Sequence, residues 1–266
     1  MRQGRADVDF PVISQDWAIA FSLVLLRVGA LIGTMPLFGE RIVPVRVKAG
    51  LALVIAFLLF PTVSPSVPPI STDFLPLLSR MISETLIGAA LGFAARLIFA
   101  AAQLAGEMIG FQIGFSVANV IDPVSSIHVS LIGQVQYLFA VLVFLITDSH
   151  HVFFAAIADS FQVLPLFAFH VSGDFMNLMV GLSRDMFVLA VKLSIPVIAV
   201  IFFTNVGLGI VARTVPQINV FIVGFPLQIT VGLFFLGLSI PLCASLLQQA
   251  YGNLGQAVYA ILRGMK

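Results

Sequence analysis

Long apolar runs separated by short polar stretches dominate this chain of 266 residues. Crossing the roughly 30 Å hydrocarbon core of a bilayer takes about 20 predominantly apolar residues of α-helix. The pattern therefore predicts an all-α membrane protein with about six to seven apolar helices. The runs occupy residues 17–38, 49–63, 74–103, 128–146, 152–169, 186–211 and 218–243.

Three of these runs are short for a membrane span, so six spans are as defensible as seven. The run at residues 49–63 is clearly short, and those at 128–146 and 152–169 are slightly under length. The polar break at residues 147–151 allows the last two to form a hairpin of two short helices. We expect the first run to be retained, because its length and flanking charges do not fit a cleaved signal peptide.

Proline residues lie inside or at the edges of several runs. Proline removes a backbone N–H and clashes with the preceding turn, so it kinks or breaks a helix. Broken helices at membrane depth are tolerated where neighbouring protein or a cavity satisfies the freed backbone groups. We therefore expect several helices to be bent or broken, at Pro36, Pro196, Pro226 and Pro241.

The composition excludes an ordinary soluble domain. Apolar residues make up 60% of the chain, charged residues 9%, and the mean hydropathy is +1.11, whereas soluble domains carry about 25% charged residues. The net charge of +1 offers no basic surface for nucleic acid. A single cysteine, Cys243, excludes an intrachain disulfide. Because no long polar linker divides the chain, the sequence predicts one domain.

Catalytic and metal-binding motifs are missing from the sequence. No Walker A, H-E-x-x-H, G-x-S-x-G or G-x-G-x-x-G pattern occurs. The sequence therefore predicts no enzymatic activity, no cofactor and no metal. His150 and His151 follow Asp148 in a polar stretch, and a polar turn between two short helices explains them better than a metal site.

Charged residues inside the apolar runs are costly, at about 2.5–3.5 kcal/mol each on membrane-insertion scales. Arg80 and Glu84 are four residues apart, so they share a helix face and are candidates for a buried ion pair. A proton or ion relay would also use such groups, but no carboxylates cluster in the sequence. Local pairing, pairing with partner subunits and snorkelling at helix ends explain them better.

Glycines four residues apart lie on one helix face and allow two helices to approach closely. The spacing occurs at Gly29/Gly33, at Gly88/Gly92 and at Gly106/Gly110/Gly114.

The segment at residues 106–123 differs from the apolar runs because polar and aromatic residues follow its glycines. Repeated glycines weaken an isolated helix, and four side chains are unfavourable in lipid: Glu107, Gln112, Asn119 and Asp122. We expect a flexible or re-entrant segment buried in protein; the alternative is an amphipathic helix packed on its neighbours. Bulky apolar rings can close a pore by excluding water, and Phe111 and Phe115 are the candidates.

A polar tip is predicted between the last two runs. Its polar and turn-forming residues are Arg213, Pro216, Gln217 and Asn219. The residue before a proline is pushed out of the helical conformation, which sets a turn here. Gly224 and Pro226 should then break the following helix near its start. The expected structure is a helical hairpin with a kinked return arm; the alternative is a plain loop followed by a kinked span.

In four stretches the sequence resembles the family of the flagellar biosynthesis protein FliR, a subunit of the type III secretion export gate, and its injectisome relatives. The stretches lie at residues 26–52, 106–123, 147–151 and 213–227. The resemblance implies a hetero-oligomeric helical assembly in the bacterial inner membrane at the flagellar basal body. Its partners would be FliP-like, FliQ-like and FlhB-like subunits, membrane lipid, and unfolded flagellar proteins as cargo.

The resemblance also implies roles for individual parts of the chain. A FliP-like part would span about residues 1–185, a FliQ-like helical hairpin about 186–243, and a C-terminal tail 244–266. The hairpin tip would make subunit contacts through Arg213, Pro216, Gln217, Asn219, Gly224 and Pro226. The segment at 106–123 would help to plug the closed pore through Gly106, Gly110, Phe111, Gln112, Gly114 and Phe115.

A stand-alone secondary transporter with broken helices is the alternative function. The broken helices and the intramembrane Arg27, Glu84 and Arg96 support it. Against it, the sequence shows no inverted repeat and no matching pair of interrupted helices. The sequence therefore favours an export-gate subunit, of a flagellar rather than an injectisome system.

Overall fold

The computed structural model describes residues 15–36, 43–63, 73–114, 130–166, 169–170, 172–215, 217 and 219–266. Every element in these ranges is an α-helix. The seven helices are α1 Gln15–Thr34, α2 Val45–Val63, α3 Phe74–Ile113, α4 Leu131–Ile146, α5 His150–Val163, α6 Gly173–Thr214 and α7 Val220–Gly264. The prediction of an all-α membrane protein is confirmed.

Five of the described helices, α1, α2, α3, α6 and α7, are long and apolar enough to cross a membrane. The helices α4 and α5 together give a sixth candidate, although they are bent by 68° at the break between them. The polar break was expected to allow a hairpin, but a 68° bend is far from an antiparallel pair. Asp148 lies in this break with a φ of +52°, which turns the chain between the two helices.

Three prolines expected to kink or break helices do not end them. Pro196 lies inside α6, and Pro226 and Pro241 lie inside α7. The helices therefore do not break at these three prolines, and a bend there stays a prediction. Apolar residues continue on both sides of each proline, and a helix is the conformation that satisfies nearly all backbone groups in an apolar environment. Pro36 follows the end of α1 at Thr34 and is compatible with a terminating role.

The helix α3 forms the centre of the bundle. It packs against α1, α4, α6 and α7, while α2 lies on α1. In its most apolar stretch 56% of the residues are buried, against 17% in the corresponding stretches of α2 and α7. These two helices therefore leave most of their apolar surface for lipid or for other subunits.

The expected C-terminal tail at residues 244–266 is part of the helical bundle. The helix α7 continues through it to Gly264, and its buried side chains include Leu247, Tyr251 and Val258. The phenol of Tyr251 donates a hydrogen bond to the carbonyl oxygen of Ala140 in α4, at 3.0 Å. Polar residues interrupt the hydrophobicity of this stretch without changing its helical period, so the apolar run at residues 218–243 ends before the helix does.

Two of the three glycine stripes lie where helices touch. A Cβ atom at Gly88 would collide with the carbonyl oxygen of Arg27 in α1, and one at Gly92 with the side chain of Thr34. At Gly106 a Cβ atom would lie 2.6 Å from the Cα atom of Gly133 in α4. These positions in α3 therefore confirm the expected close approach of helix backbones.

The remaining stripe does not mark a contact within the described chain. A Cβ atom at either Gly29 or Gly33 would have no neighbouring atom within 4 Å. This face of α1 is open, so the glycine spacing alone did not distinguish packed faces from unpacked ones.

Candidate functional site

The glycine-rich segment begins as a continuation of α3. Residues 106–113 form its last two turns, and Gly114 caps the helix with a φ of +93°. The expectation of a flexible or re-entrant segment is therefore wrong for these residues, and the alternative of a packed helix describes them. The reason is a tertiary contact: a Cβ atom on Gly106 would meet the backbone of Gly133 in α4 at 2.6 Å, and one on Gly110 would lie 2.9 Å from the Ser130 Oγ atom, so the packing compensates for the low helix propensity of these glycines. Phe115 and the rest of the segment lie outside the described residues.

The two ends of the stretch at residues 115–129 lie close together. The chain leaves α3 at Gly114, whose N–H donates to the carbonyl oxygens of Gly110 and Phe111. It enters α4 at Ser130, whose hydroxyl accepts a hydrogen bond of 3.1 Å from the N–H of Gly133. A Cβ atom on Gly110 would be only 2.9 Å from the Ser130 Oγ atom. Gly114 and Ser130, the described residues on either side of this stretch, are therefore separated by only about one turn of α3.

An exposed polar and aromatic face leads along α3 to this point. Gln103, Glu107 and Phe111 follow at four-residue intervals, and the Phe111 side chain is 71% exposed. The Gln103 Nε2 atom donates a hydrogen bond of 3.2 Å to the Glu107 Oε1 atom. A carboxylate is costly in hydrocarbon, so we infer that this face contacts water or protein and not lipid.

The end of α3 is also held against α7. A Cβ atom on Gly114 would lie 3.1 Å from the ring of Phe225, and one on Gly232 would lie 2.5 Å from the side chain of Ile113. Beside this contact, the Gln228 Nε2 atom donates to the Asn205 Oδ1 atom at 2.5 Å, which joins α6 to α7. Four helices, α3, α4, α6 and α7, therefore converge on the site where residues 115–129 begin.

The predicted hairpin tip connects α6 to α7. Arg213 is exposed in the last turn of α6, and Gln217 is exposed between the helices. Asn219 caps α7, since its Oδ1 atom accepts a hydrogen bond of 3.4 Å from the Ile222 N–H. Pro216 lies outside the described residues. The polar tip of the hairpin is thus present in the structure.

The expected break after the tip does not occur. The helix α7 begins at Val220 and runs through Gly224, which is buried, and Pro226, which is exposed. Pro226 is the seventh residue of α7, so it removes one hydrogen bond from the second turn, and the helix continues past it. The prediction of a helix broken at these two residues is wrong.

A buried ion pair joins Glu84 to Arg27, a partner that was not expected from the sequence. The Arg27 Nε atom lies 2.5 Å from the Glu84 Oε2 atom, and both side chains are at most 1% exposed. Arg80 lies half-buried one turn earlier in α3, and its pairing with Glu84 stays a prediction. The only signal in the sequence for the observed pair was that a basic residue, Arg27, lies in one apolar run and an acidic residue, Glu84, in another.

Arg27 also caps the C-terminal end of the helix α5. Its Nη1 atom donates hydrogen bonds to the carbonyl oxygens of Ser160 and Leu164, at 3.2 and 3.0 Å, and its guanidinium lies 4.3 Å from the ring centre of Phe161. The last carbonyl groups of a helix have no partner within it and carry partial negative charge. Arg27 thus holds together α1, α3 and the end of α5.

One cluster offers metal-ligating atoms. Ligand atoms of Asp148, His150 and His151 lie within 4.8 Å of one another at the bend between α4 and α5. They stand at the N-terminus of α5, where the helix dipole disfavours a cation. The hydroxyls of Thr147 and Ser149 are 2.7 Å apart in the same turn, so a polar turn accounts for the residues without a metal.

These features define a multi-span helical membrane protein with a polar and aromatic face near one loop. Comparison with known proteins gives the family. The model of the bacterial export proteins, family 1, matches residues 18–254. The flagellar biosynthetic protein FliR of Bacillus subtilis is 42% identical over 220 residues, which are 82% of this chain and 84% of that protein. FliR of Escherichia coli K12 is 33% identical over 246 residues, which are 91% and 94% of the two chains.

The chain belongs to this family of bacterial export proteins. A third relative, FliR of Pectobacterium carotovorum, is 34% identical over 227 residues, covering 85% of this chain and 86% of that protein. All three relatives are named as flagellar biosynthetic proteins. The comparisons therefore favour the export apparatus over the stand-alone secondary transporter.

Proposed function

We propose that this chain is a structural and gating subunit of the inner-membrane export gate of the flagellar type III secretion system. The observation that carries the proposal is that the described residues on either side of residues 115–129 lie near each other, since α3 ends at Gly114 and Ser130 lies against Gly110, one turn earlier in α3. A segment with both ends anchored at one place can project into a pore and be displaced without unfolding the bundle.

The gating mechanism is steric. The ring of Phe111 projects from the last turn of α3 with most of its surface uncovered, and Phe115 follows four residues later. Apolar rings at a constriction exclude water and ions. Gly106 and Gly110 are fixed against α4, so movement starts after them, at Gly114, whose left-handed conformation suits glycine.

The face that carries Phe111 supports this assignment. Glu107 lies on it one turn earlier and Gln103 two turns earlier, so a polar path along α3 ends at an apolar ring. A path for unfolded polypeptide needs such a polar lining, and the closed state needs an apolar seal at its end.

The partners are FliP-like, FliQ-like and FlhB-like subunits, with unfolded flagellar proteins as cargo. A FliP-like part at about residues 1–185 and a FliQ-like hairpin at about 186–243 would let this chain complete a helical ring of related subunits. The long α6–α7 hairpin supports this assignment, because it exposes large apolar residues such as Phe203 and Phe234 along its length. The polar tip at Arg213, Gln217 and Asn219 would contact neighbouring subunits or lipid headgroups.

Removal of the plug tests the proposal. Residues 115–129 would be replaced by a short glycine linker that joins Gly114 to Ser130, which leaves all helices of the bundle intact. We expect the export complex to assemble and the membrane to become leaky to small ions. A variant with residues 64–72 replaced in the same way is the control. A tight membrane with normal secretion after removal of 115–129 would refute the gating role.

A further inference from the structure

A groove between α3, α6 and α7 has a volume of about 380 Å³ and an apolar floor. Ala94 and Leu97 of α3 and Leu254 of α7 line this floor and are buried. The groove lies between the part of the chain that ends with α3 and the α6–α7 hairpin. It is distinct from the loop site at Gly114.

The rim of the groove is polar. Asp185 and Lys192 of α6 line one side, and Gln249 and Asn253 of α7 line the other. All four side chains are exposed, and no hydrogen bond or ion pair satisfies any of them within the part of the chain that the structure describes. Charged groups are costly on apolar helices, so an occupant that supplies their partners is favoured.

The spacing of the lining residues matches a helix as the occupant. On α6 they lie at 182, 185, 186, 188, 189 and 192, and on α7 at 246, 249, 250, 253, 254 and 257. Apart from Val188, each set follows the three- and four-residue intervals of one helix face. Two parallel faces with an apolar floor form a groove for a third helix of about three turns.

We infer that this groove binds one apolar helix of a neighbouring subunit, which carries a basic and an acidic side chain two turns apart. The basic group pairs with Asp185 and the acidic group with Lys192, which lie seven residues apart, or about 10 Å along the axis. A lipid headgroup would satisfy charges at one level of the groove, whereas these two lie at different levels. The inference rests on the proposed function, because it requires a multi-subunit assembly.

Site-specific photo-crosslinking in the intact export complex tests the occupant. A photoreactive phenylalanine at Gln249 faces the groove, and the same residue at Gln248 is a matched control because the neighbouring side chain points about 100° away. We expect position 249 to label a peptide from another chain, an apolar helix with an acid and a base two turns apart. Labelling of lipid alone, or of a peptide without these charges, would overturn the inference.

Charge reversal supplies the second measurement. Lys192→Glu should lower the recovery of the full assembly at least about tenfold, and reversal of the partner's acid should restore it. Arg184→Glu, one residue before Asp185 and outside the groove lining, should leave recovery unchanged. Lys192→Gln shows whether any loss comes from misfolding, because it removes the charge without reversing it. Equal recovery of Lys192→Glu and Arg184→Glu would contradict the proposal.

These outcomes are separate from those of the plug experiment. If Lys192→Glu assembles normally and removal of 115–129 still makes the membrane leaky, the groove inference fails and the gating proposal stands. If the crosslink and its charge rescue are found but the membrane stays tight, the gating proposal fails and the groove remains an assembly surface.

Discussion

The Nε atom of Arg27 in α1 lies 2.5 Å from the Oε2 atom of Glu84 in α3, and the two side chains are almost completely shielded from solvent. Arg27 binds the end of α5 with the same guanidinium. One ion pair therefore fixes three helices that are far apart in the sequence.

Removing one member of this pair should destabilise the protein strongly. Arg27→Met removes the guanidinium that pairs with the buried Glu84 carboxylate and should lower the free energy of unfolding by about 3–5 kcal/mol. The double variant Arg27→Met/Glu84→Leu should recover most of the loss. Thermal unfolding of the detergent-solubilised protein measures both, with the exposed Arg184→Met as a control. A single variant as stable as this control would show that the pair is dispensable.

The glycine stripes should respond differently to alanine. Gly88→Ala places a methyl group against the Arg27 carbonyl oxygen and should cost about 1–3 kcal/mol, as overpacking does. Gly29→Ala meets open space and should be neutral or stabilise the protein by up to about 1 kcal/mol through helix propensity. Thermal unfolding of the two variants measures this difference. Equal destabilisation of Gly88→Ala and Gly29→Ala would mean that Gly29 is also covered in the assembly.

The hydrogen bond between Gln228 and Asn205 should couple α6 to α7. Leucine at each position alone leaves one amide unsatisfied, and the double variant removes both. A double-mutant cycle should give a coupling energy of about 0.6 kcal/mol, and up to about 1.7 kcal/mol, as for other hydrogen bonds between membrane helices. Strict additivity of the two single variants would show that the bond does not contribute.

Leu247 should be essential for stability although it lies in the expected C-terminal tail. It is completely buried, so Leu247→Ala should cost about 2–5 kcal/mol. The adjacent Gln248 is exposed, and Gln248→Ala should change stability by no more than about 0.5 kcal/mol. If both variants unfold at the same temperature, residues 244–266 do behave as a tail.

Phe111 should matter for the seal and not for folding. Its ring is 71% exposed, close to the 66% of Phe57 on α2, which makes Phe57→Ala a matched control. Phe111→Ala should raise the ion conductance of membranes that contain the export complex, while Phe57→Ala should not. Measurement of ion flux in vesicles distinguishes them, and similar conductance in both variants would remove Phe111 from the seal.

Most of the helices could be predicted from the sequence, because helix formation in an apolar environment depends on local properties. The runs at 17–38 and 49–63 correspond to α1 and α2, and the polar break before His150 separates α4 from α5. The ends of helices were less predictable. The helix α6 begins at residue 173 and α7 continues to residue 264, although residues 173–185 and 244–264 lie outside the long apolar runs. Packing against neighbouring helices stabilises these helix ends.

The candidate site was only partly predictable for the same reason. The spacing of Gly106 and Gly110 indicated a close contact, but it could not reveal that the opposing backbone belongs to Gly133. The weak helix propensity of glycine suggested a flexible segment, whereas contact with α4 makes residues 106–113 a regular helix. Propensity is a local quantity, and the tertiary contact overrides it.

The sequence by itself determined that this protein is a bundle of long apolar helices, since hydrophobicity and its period depend only on residues that are close together in the sequence. It also carried the residues by which the chain resembles its export-protein family. Only the tertiary structure decided that Glu84 pairs with Arg27 across 57 residues of chain. It also decided which glycine stripes are packed, and that Ser130 lies against Gly110. Each of these depends on which helix faces which, and no local pattern specifies the position of a distant helix.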